Sequence, residues 1–271
     1  ALERRHPGNI TPDSLPAAAA YVWQSDTRQL VPVSKVNALD ISLLKGIDEQ
    51  RDSLLSNTIG FVQGFPGNNA LLWGARGTGK SSLVKAVHGS VVDQGFDAGL
   101  VEIHREDIAD LPFLMSFLAQ IDRYFIIFSD DLAFEGGESN YKSLKAALEG
   151  GIEGRPANIV FYATSNRRHL MPRQMMENER STAISPSETT EETVSLSDRF
   201  GLWIGFHSID QDTYLAMIDE YVKFYNIKAD DIDVRHEALA WSVGRGSRSG
   251  RVAWQFITDL SARTKTRLSG K

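Results

Sequence analysis

Residues 69–92 read NALLWGARGTGKSSLVKAVHGSVV, and their fold follows from three successive patterns. A short apolar run (69–73) predicts a buried strand. Residues 74–81, GARGTGKS, match the spacing G-x-x-x-x-G-K-[ST] in full. Apolar residues at helical spacing then predict a helix over 81–92. Glycines at these points let a backbone wrap a polyphosphate without Cβ clashes, while successive N–H groups and a helix N-terminus meet its negative charge. The expected site is therefore an ATP or ADP site built from Gly74, Ala75, Arg76, Gly77, Thr78, Gly79, Lys80, Ser81 and Ser82. Lys80 would reach the β- and γ-phosphates, and the Ser81 hydroxyl would ligate Mg2+.

Working outward, YFIIFS (124–129) and ANIVFYAT (157–164) are nearly continuous apolar runs, as in strands buried on both faces of a parallel sheet. Strands are also expected over 99–103 and 202–206, and helices over 43–65, 111–119 and 141–149. This alternation predicts an α/β domain with right-handed crossovers. Helical patterns over 208–225, opened by a capping box from Ser208 to Gln211, and over 235–243 and 250–268 predict a small C-terminal helical lid. Pro7, Pro12, Pro16 and Pro32, with an alanine run at 17–20, predict an irregular N-terminal arm anchored by Tyr21 and Trp23. The expected division is 1–42 for the arm, 43–207 for the nucleotide-binding core and 208–271 for the lid. The segment 173–196 is polar, has no apolar face and reads as a long loop.

At the end of YFIIFS stand Asp130 and Asp131. A nucleotide triphosphatase of this type needs a carboxylate at the tip of a neighbouring strand for its magnesium, and Asp130 fits. Asp131 is placed to orient or deprotonate the attacking water. The other reading of the pair is a helix cap, where Asp is favoured.

The whole chain of 271 residues carries 29 Lys and Arg against 35 Asp and Glu, a formal charge of −6. That balance argues against unselective coating of nucleic acid, though not against a local basic patch. No cysteine is present, which excludes disulfides, thiolate metal sites and cysteine nucleophiles. The six histidines lack metal-ligand spacing, and no apolar run approaches a membrane span. The first residues lack the apolar core of a signal peptide, so a cytoplasmic location is expected. The leading Ala points to a native N-terminus further upstream.

The ordered stretches GARGTGKSSLVKA (74–86), FIIFSDDLAFE (125–135), YKSLKAALEGGIEGRP (141–156), YATSNRRHL (162–170), LSDRFGL (196–202) and GSRSGR (246–251) resemble AAA+ ATPases. More narrowly, they resemble the bacterial group catalogued as domain of unknown function 815. The resemblance implies a three-layer P-loop NTPase with a five-stranded parallel core in AAA+ order and a helical lid. It implies that Asn166 is the sensor-1 residue positioning water against the γ-phosphate, and that Arg199 is an arginine finger serving a neighbouring subunit. At that position, an arginine paired with Asp198 or another acidic neighbour is the alternative. Arg251 resembles the sensor-2 arginine, with Arg248 as the other candidate, and Gly46 and Ile47 resemble the segment that packs on adenine. In many AAA+ ATPases Glu follows the magnesium-site Asp. Here Asp131 retracts the carboxylate by ~1.5 Å, which predicts slow hydrolysis unless Glu135 reaches in.

The expected activity is hydrolysis of Mg·ATP to ADP and phosphate in a nucleotide-dependent homo-oligomer, with no membrane partner. A second expectation is a weakly hydrolysing switch or loader acting on a protein or nucleic-acid client. A small-molecule kinase fits less well, because the helical C-terminal region and Arg199 offer no acceptor pocket.

Overall fold

In a computed structural model, the structure describes residues 15–133, 138–150, 154–167, 170 and 199–268. Within them the strands are β1 (Ala20–Gln24), β2 (Gln29–Val33), β3 (Ala70–Gly74), β4 (Ala98–Glu102), β5 (Tyr124–Ser129), β6 (Ile159–Ser165) and β7 (Leu202–Phe206). The helices are α1 (Asp48–Val62), α2 (Lys80–Asp93), α3 (Leu111–Leu118), α4 (Glu138–Glu149), α5 (Gln211–Phe224), α6 (Val234–Gly244) and α7 (Gly250–Arg263). One sheet runs β2-β1-β4-β5-β6-β3-β7, parallel throughout except for the β1–β2 hairpin. The five strands β4-β5-β6-β3-β7 keep the AAA+ order, and the hairpin extends them to seven.

Every residue of β6 is buried, as are Phe125–Ser129 of β5, which explains their unbroken apolar sequence. Apolar clusters lie on both faces of the sheet. One gathers α3 and α4 around Phe125, Ile127 and Phe161; the other gathers α1 and α2 around Ile126, Phe128 and Tyr162. Each fully buried Leu, Ile or Phe in these layers contributes about 1.5–3 kcal/mol relative to exposure. Tyr162 also ties β6 to α1 through hydrogen bonds with Thr58 (2.8 Å) and Asn57 (3.0 Å). Burial pushes its phenol up to about 12, so the group stays neutral.

Three expectations need correction. The N-terminal arm is not irregular after residue 19, because Tyr21 and Trp23 alternate inward, fully buried, and β1 pairs parallel to β4 from Ala20↔Leu100. The Trp23 indole donates to Asp110 Oδ2 at 3.1 Å, fixing the hairpin against the body. Pro32 is tolerated because β2 is the edge strand, where a missing N–H breaks no ladder. The helix expected over 43–65 begins only at Asp48. It follows a 3-10 turn at Ile41–Leu43 and Gly46, whose φ of 73° breaks helical continuity. The third concerns α5, whose cap is Asp210 rather than Ser208: the Asp210 carboxylate accepts from the Thr213 amide at 2.7 Å.

Helices α5, α6 and α7 pack through Tyr214, Ile218, Ala238, Phe256 and Leu260 into a separate apolar cluster that also takes Leu43. Asp210, Asp233 and Ser249 cap the three in turn. The polar segment 173–196, Glu135, Arg168, His169 and Asp198 lie outside the described residues. No helix among the described residues is long and apolar enough to cross a membrane.

His88, on α2, is buried, and its Nε2–H donates to the Ala98 carbonyl at 3.0 Å. Desolvation holds its pKa below the usual 6.5; the Ala98 bond opposes this and the Arg123 charge reinforces it. The unfolded chain therefore takes up the proton first. Stability from this site is full above about pH 6.5 and is lost as pH falls through the depressed folded value. His88→Gln keeps a donor without the titration, so its thermal midpoint should fall less than that of the parent between about pH 7.5 and 5.5. Equal falls in both proteins would remove His88 as a cause.

Candidate functional site

The loop 74–79 leaves the C-terminal end of β3, next to β6 on one side and β7 on the other. This is where the strand connections diverge, since β3 leads to β4 beyond β5 and β6. Ligand crevices in open α/β sheets lie at such points. Gly74, Gly77 and Gly79 have φ of 141°, 76° and 99°. A Cβ on Gly74 would lie 2.1 Å from the Phe206 carbonyl, so the loop turns only because no side chain is there. The N-cap of α2 is Gly79, with no side chain over the first N–H groups of the helix. That leaves donors and the positive end of a dipole for an anion, as a phosphate cradle requires.

A cleft of about 650 Å³ opens over this loop. It brings together Arg76, Gly77, Thr78, Gly79, Lys80, Ser81 and Ser82 with Asp130, Asp131 and Asn166, and Arg251 of the lid. Ile47 also lines it, whereas Gly46 packs on Thr213 instead, its imaginary Cβ only 2.3 Å from Cγ2. Gly74 and Ala75 lie beneath the cleft and turn their carbonyls to Lys80, whose Nζ donates to them at 2.8 and 2.7 Å. Lys80 Nζ also reaches Asn166 Oδ1 at 3.3 Å. Desolvation lowers the pKa of this buried ammonium; Asp130 and Asp131 oppose that, and Arg76 adds to it.

The carboxylates are held by a compact network. Ser81 Oγ and Thr164 Oγ1 both donate to Asp130 Oδ1 at 2.5 Å. Asp131 has a left-handed backbone, φ 53°. Its amide donates to Thr164 Oγ1 at 2.9 Å, and its carboxylate accepts from Asn166 Nδ2 at 2.5 Å. The hard oxygens of Ser81 and Asp130 suit Mg2+, which usually takes one or two protein ligands and completes its shell with phosphate and water. Among the described residues no group of three His, Cys, Asp or Glu forms another metal site.

Across the cleft, Arg251 of α7 faces the loop, while Arg248 donates to Gln211 Oε1 at 3.3 Å and is not part of the lining. The Gly250 amide donates to the Gly77 carbonyl at 2.9 Å, joining lid and loop directly. Trp254 and Tyr221 line the lid wall, with ring centroids 5.5 Å apart. Trp241, by contrast, sits against Phe256 within the lid. Arg199, just before β7, lies away from the cleft and forms an ion pair with Glu149 at the end of α4. Sequence reasoning missed Thr164, Tyr221 and Trp254 as site residues. For Thr164 the only linear signal was a hydroxyl two places before Asn166, on the same face of a strand.

With this geometry in view, the comparisons with known proteins agree on the architecture. The family model described as "Protein of unknown function (DUF815)" matches residues 16–264. Among solved structures, the Thermotoga maritima RuvB Holliday junction branch migration motor superposes with a TM-score of 0.52 at 15% identity, over 83% of this chain and 68% of that one. The Aeropyrum pernix ORC1 protein, solved in complex with DNA, gives 0.56 at 14% identity, over 84% of this chain and 66% of that one. No curated protein sequence matches the chain. The chain belongs to the DUF815 family and has the AAA+ P-loop fold.

Proposed function

We propose that this DUF815 chain is an AAA+ ATPase that binds Mg·ATP on residues 74–82 and hydrolyses it to ADP and phosphate, completing its catalytic unit with Arg199 from a second copy. The observation that carries this reading is the convergence of Lys80, Ser81, Asp130, Asp131 and Asn166 on one cleft beside an uncapped helix N-terminus. Lys80 already extends along the loop, and leaving the carbonyls of Gly74 and Ala75 for the phosphates would exchange neutral acceptors for charged ones. Ser81 and Asp130 would hold Mg2+, which when bound offsets the charge on the phosphates. Asp131 would orient the attacking water, with Asn166 fixing its carboxylate. Ile47, Tyr221 and Trp254 offer an apolar wall for the base, and Arg251 would carry the lid toward the phosphates.

A second reading, a nucleotide-dependent switch with slow turnover, is favoured by one specific contact. Asn166 Nδ2 occupies an oxygen of Asp131, a side chain already shorter than Glu. That bond takes up one of the lone pairs a general base would offer to water. The two readings differ in a simple experiment: ATP binding by calorimetry, together with steady-state phosphate release over a range of protein concentrations, with and without DNA. The ATPase reading expects release per chain to rise with concentration, as copies supply Arg199 to one another. The switch expects binding with little release until DNA or a protein client is added. Failure to bind ATP in the presence of Mg2+ would sink both.

A further inference from the structure

We infer that Thr164 is a positioning residue for the metal and water carboxylates, setting the orientation of Asp130 and the backbone of Asp131 through one hydroxyl. The inference rests on the Mg·ATP reading above and assigns a role to a residue that the phosphate-loop pattern does not include.

Register places Thr164 there. Strands β5 and β6 are parallel with Ser129 opposite Ala163, so the next rung sets the first residue beyond β5, Asp130, beside Thr164. The Leu132 amide donates to the Thr164 carbonyl at 2.7 Å, which continues the pairing past the strand end. Thr164 is 1% exposed. A hydroxyl has one proton to give and lone pairs to accept. Thr164 gives its proton to Asp130 Oδ1 at 2.5 Å and accepts the Asp131 N–H at 2.9 Å.

These two bonds differ in kind from those of the neighbouring residues. Ser81 also donates to Asp130 Oδ1, but it is itself a candidate Mg2+ ligand, so its position would answer to the ion as well as to the carboxylate. Thr164 has no ligand role, so its bond keeps the carboxylate turned whether or not metal is present. The second bond restrains Asp131, whose φ of 53° is uncommon for a residue other than glycine. The Thr164 bond to the amide and the Asn166 bond to the carboxylate together hold it in that conformation. Two residues two places apart, one at the end of β6 and one just beyond it, thus aim both carboxylates.

The test uses the full chain with Thr164→Val, a substitution of nearly the same shape that removes both bonds. ATP binding is measured by calorimetry in excess EDTA and across a series of Mg2+ concentrations. In EDTA the variant should bind ATP within about twofold of the parent, because the loop and Lys80 are intact. The Mg2+ concentration giving half the metal-dependent gain should rise about ten- to a hundredfold, the usual effect of losing a partner that orients a metal ligand. Thr164→Ser, which restores the hydroxyl, should return to within about threefold of the parent. Unchanged Mg2+ dependence in Thr164→Val would overturn the inference, as would an equal loss of ATP affinity in both arms, which marks a purely structural role. If Thr164→Val does not fold, Thr164→Cys carries the test, its weak S–H donor giving a smaller rise in the same direction. A parent protein that binds no ATP in either arm overturns the nucleotide reading and this inference together, an outcome distinct from the first two.

Discussion

Arg199→Ala should lower steady-state ATP turnover by about a thousandfold or more while leaving ATP affinity within about twofold, because an arginine supplied in trans acts on the transition state. Arg199 lies outside the cleft of its own chain, so its removal should not touch the bound nucleotide. Its side chain pairs with Glu149 in the same chain, an acidic partner 50 residues away in sequence. The pairing sharpens the experiment, since a purely structural arginine would also be expected to have such a partner. Glu149→Gln is the companion variant. If Arg199 serves a neighbouring copy, Glu149→Gln loosens its hold within its own chain and should leave turnover at or above the parent level. If the ion pair is structural, both variants should lose thermal stability together, and any loss of turnover should follow that loss. Measuring kcat, ATP affinity and melting midpoint on all three proteins separates the outcomes.

Lys80→Ala should weaken ATP binding by about ten- to a hundredfold, the equivalent of losing a hydrogen bond to a charged group at roughly 1.5–3 kcal/mol. The variant removes an ammonium that bonds the carbonyls of Gly74 and Ala75 and contacts Asn166. Its desolvation cost also disappears, which offsets part of the loss of those bonds, so the empty protein should lose little stability. ATP calorimetry and thermal unfolding without nucleotide read the two effects separately. Unchanged affinity would remove Lys80 from the phosphate site. A large loss of stability would instead assign the lysine to holding the loop.

What could be read in advance followed the range of the interactions involved. The phosphate loop is a local device: glycines, a lysine and a hydroxyl at fixed spacing suffice to find it. The strands β5 and β6 were legible because burial on both faces leaves an unbroken apolar run. The β1–β2 hairpin was not, since Pro16, the alanine run and Pro32 mask a short alternation whose partner, β4, lies about 80 positions away. Thr164 stayed hidden for a similar reason. A threonine near a strand end is unremarkable until parallel register sets it beside Asp130. Gly46 was assigned to the base pocket by resemblance, yet its glycine character answers to Thr213 on the lid. The ion pair of Arg199 with Glu149, 50 positions away in sequence, is likewise a product of the fold.

The bond from the Gly250 amide to the Gly77 carbonyl has a mechanical consequence. Helix α7 has 14 residues, so at 1.5 Å per residue it is a rod about 21 Å long, pinned at one end to the loop that would hold the phosphates. Turning such a rod by about 10° about its pinned end carries the far tip through roughly 4 Å, about two-thirds of a helical turn. A small tilt at the loop end is thereby carried to the outer edge of the lid, where Arg263 and Glu237 bridge α7 to α6 at 2.7 Å.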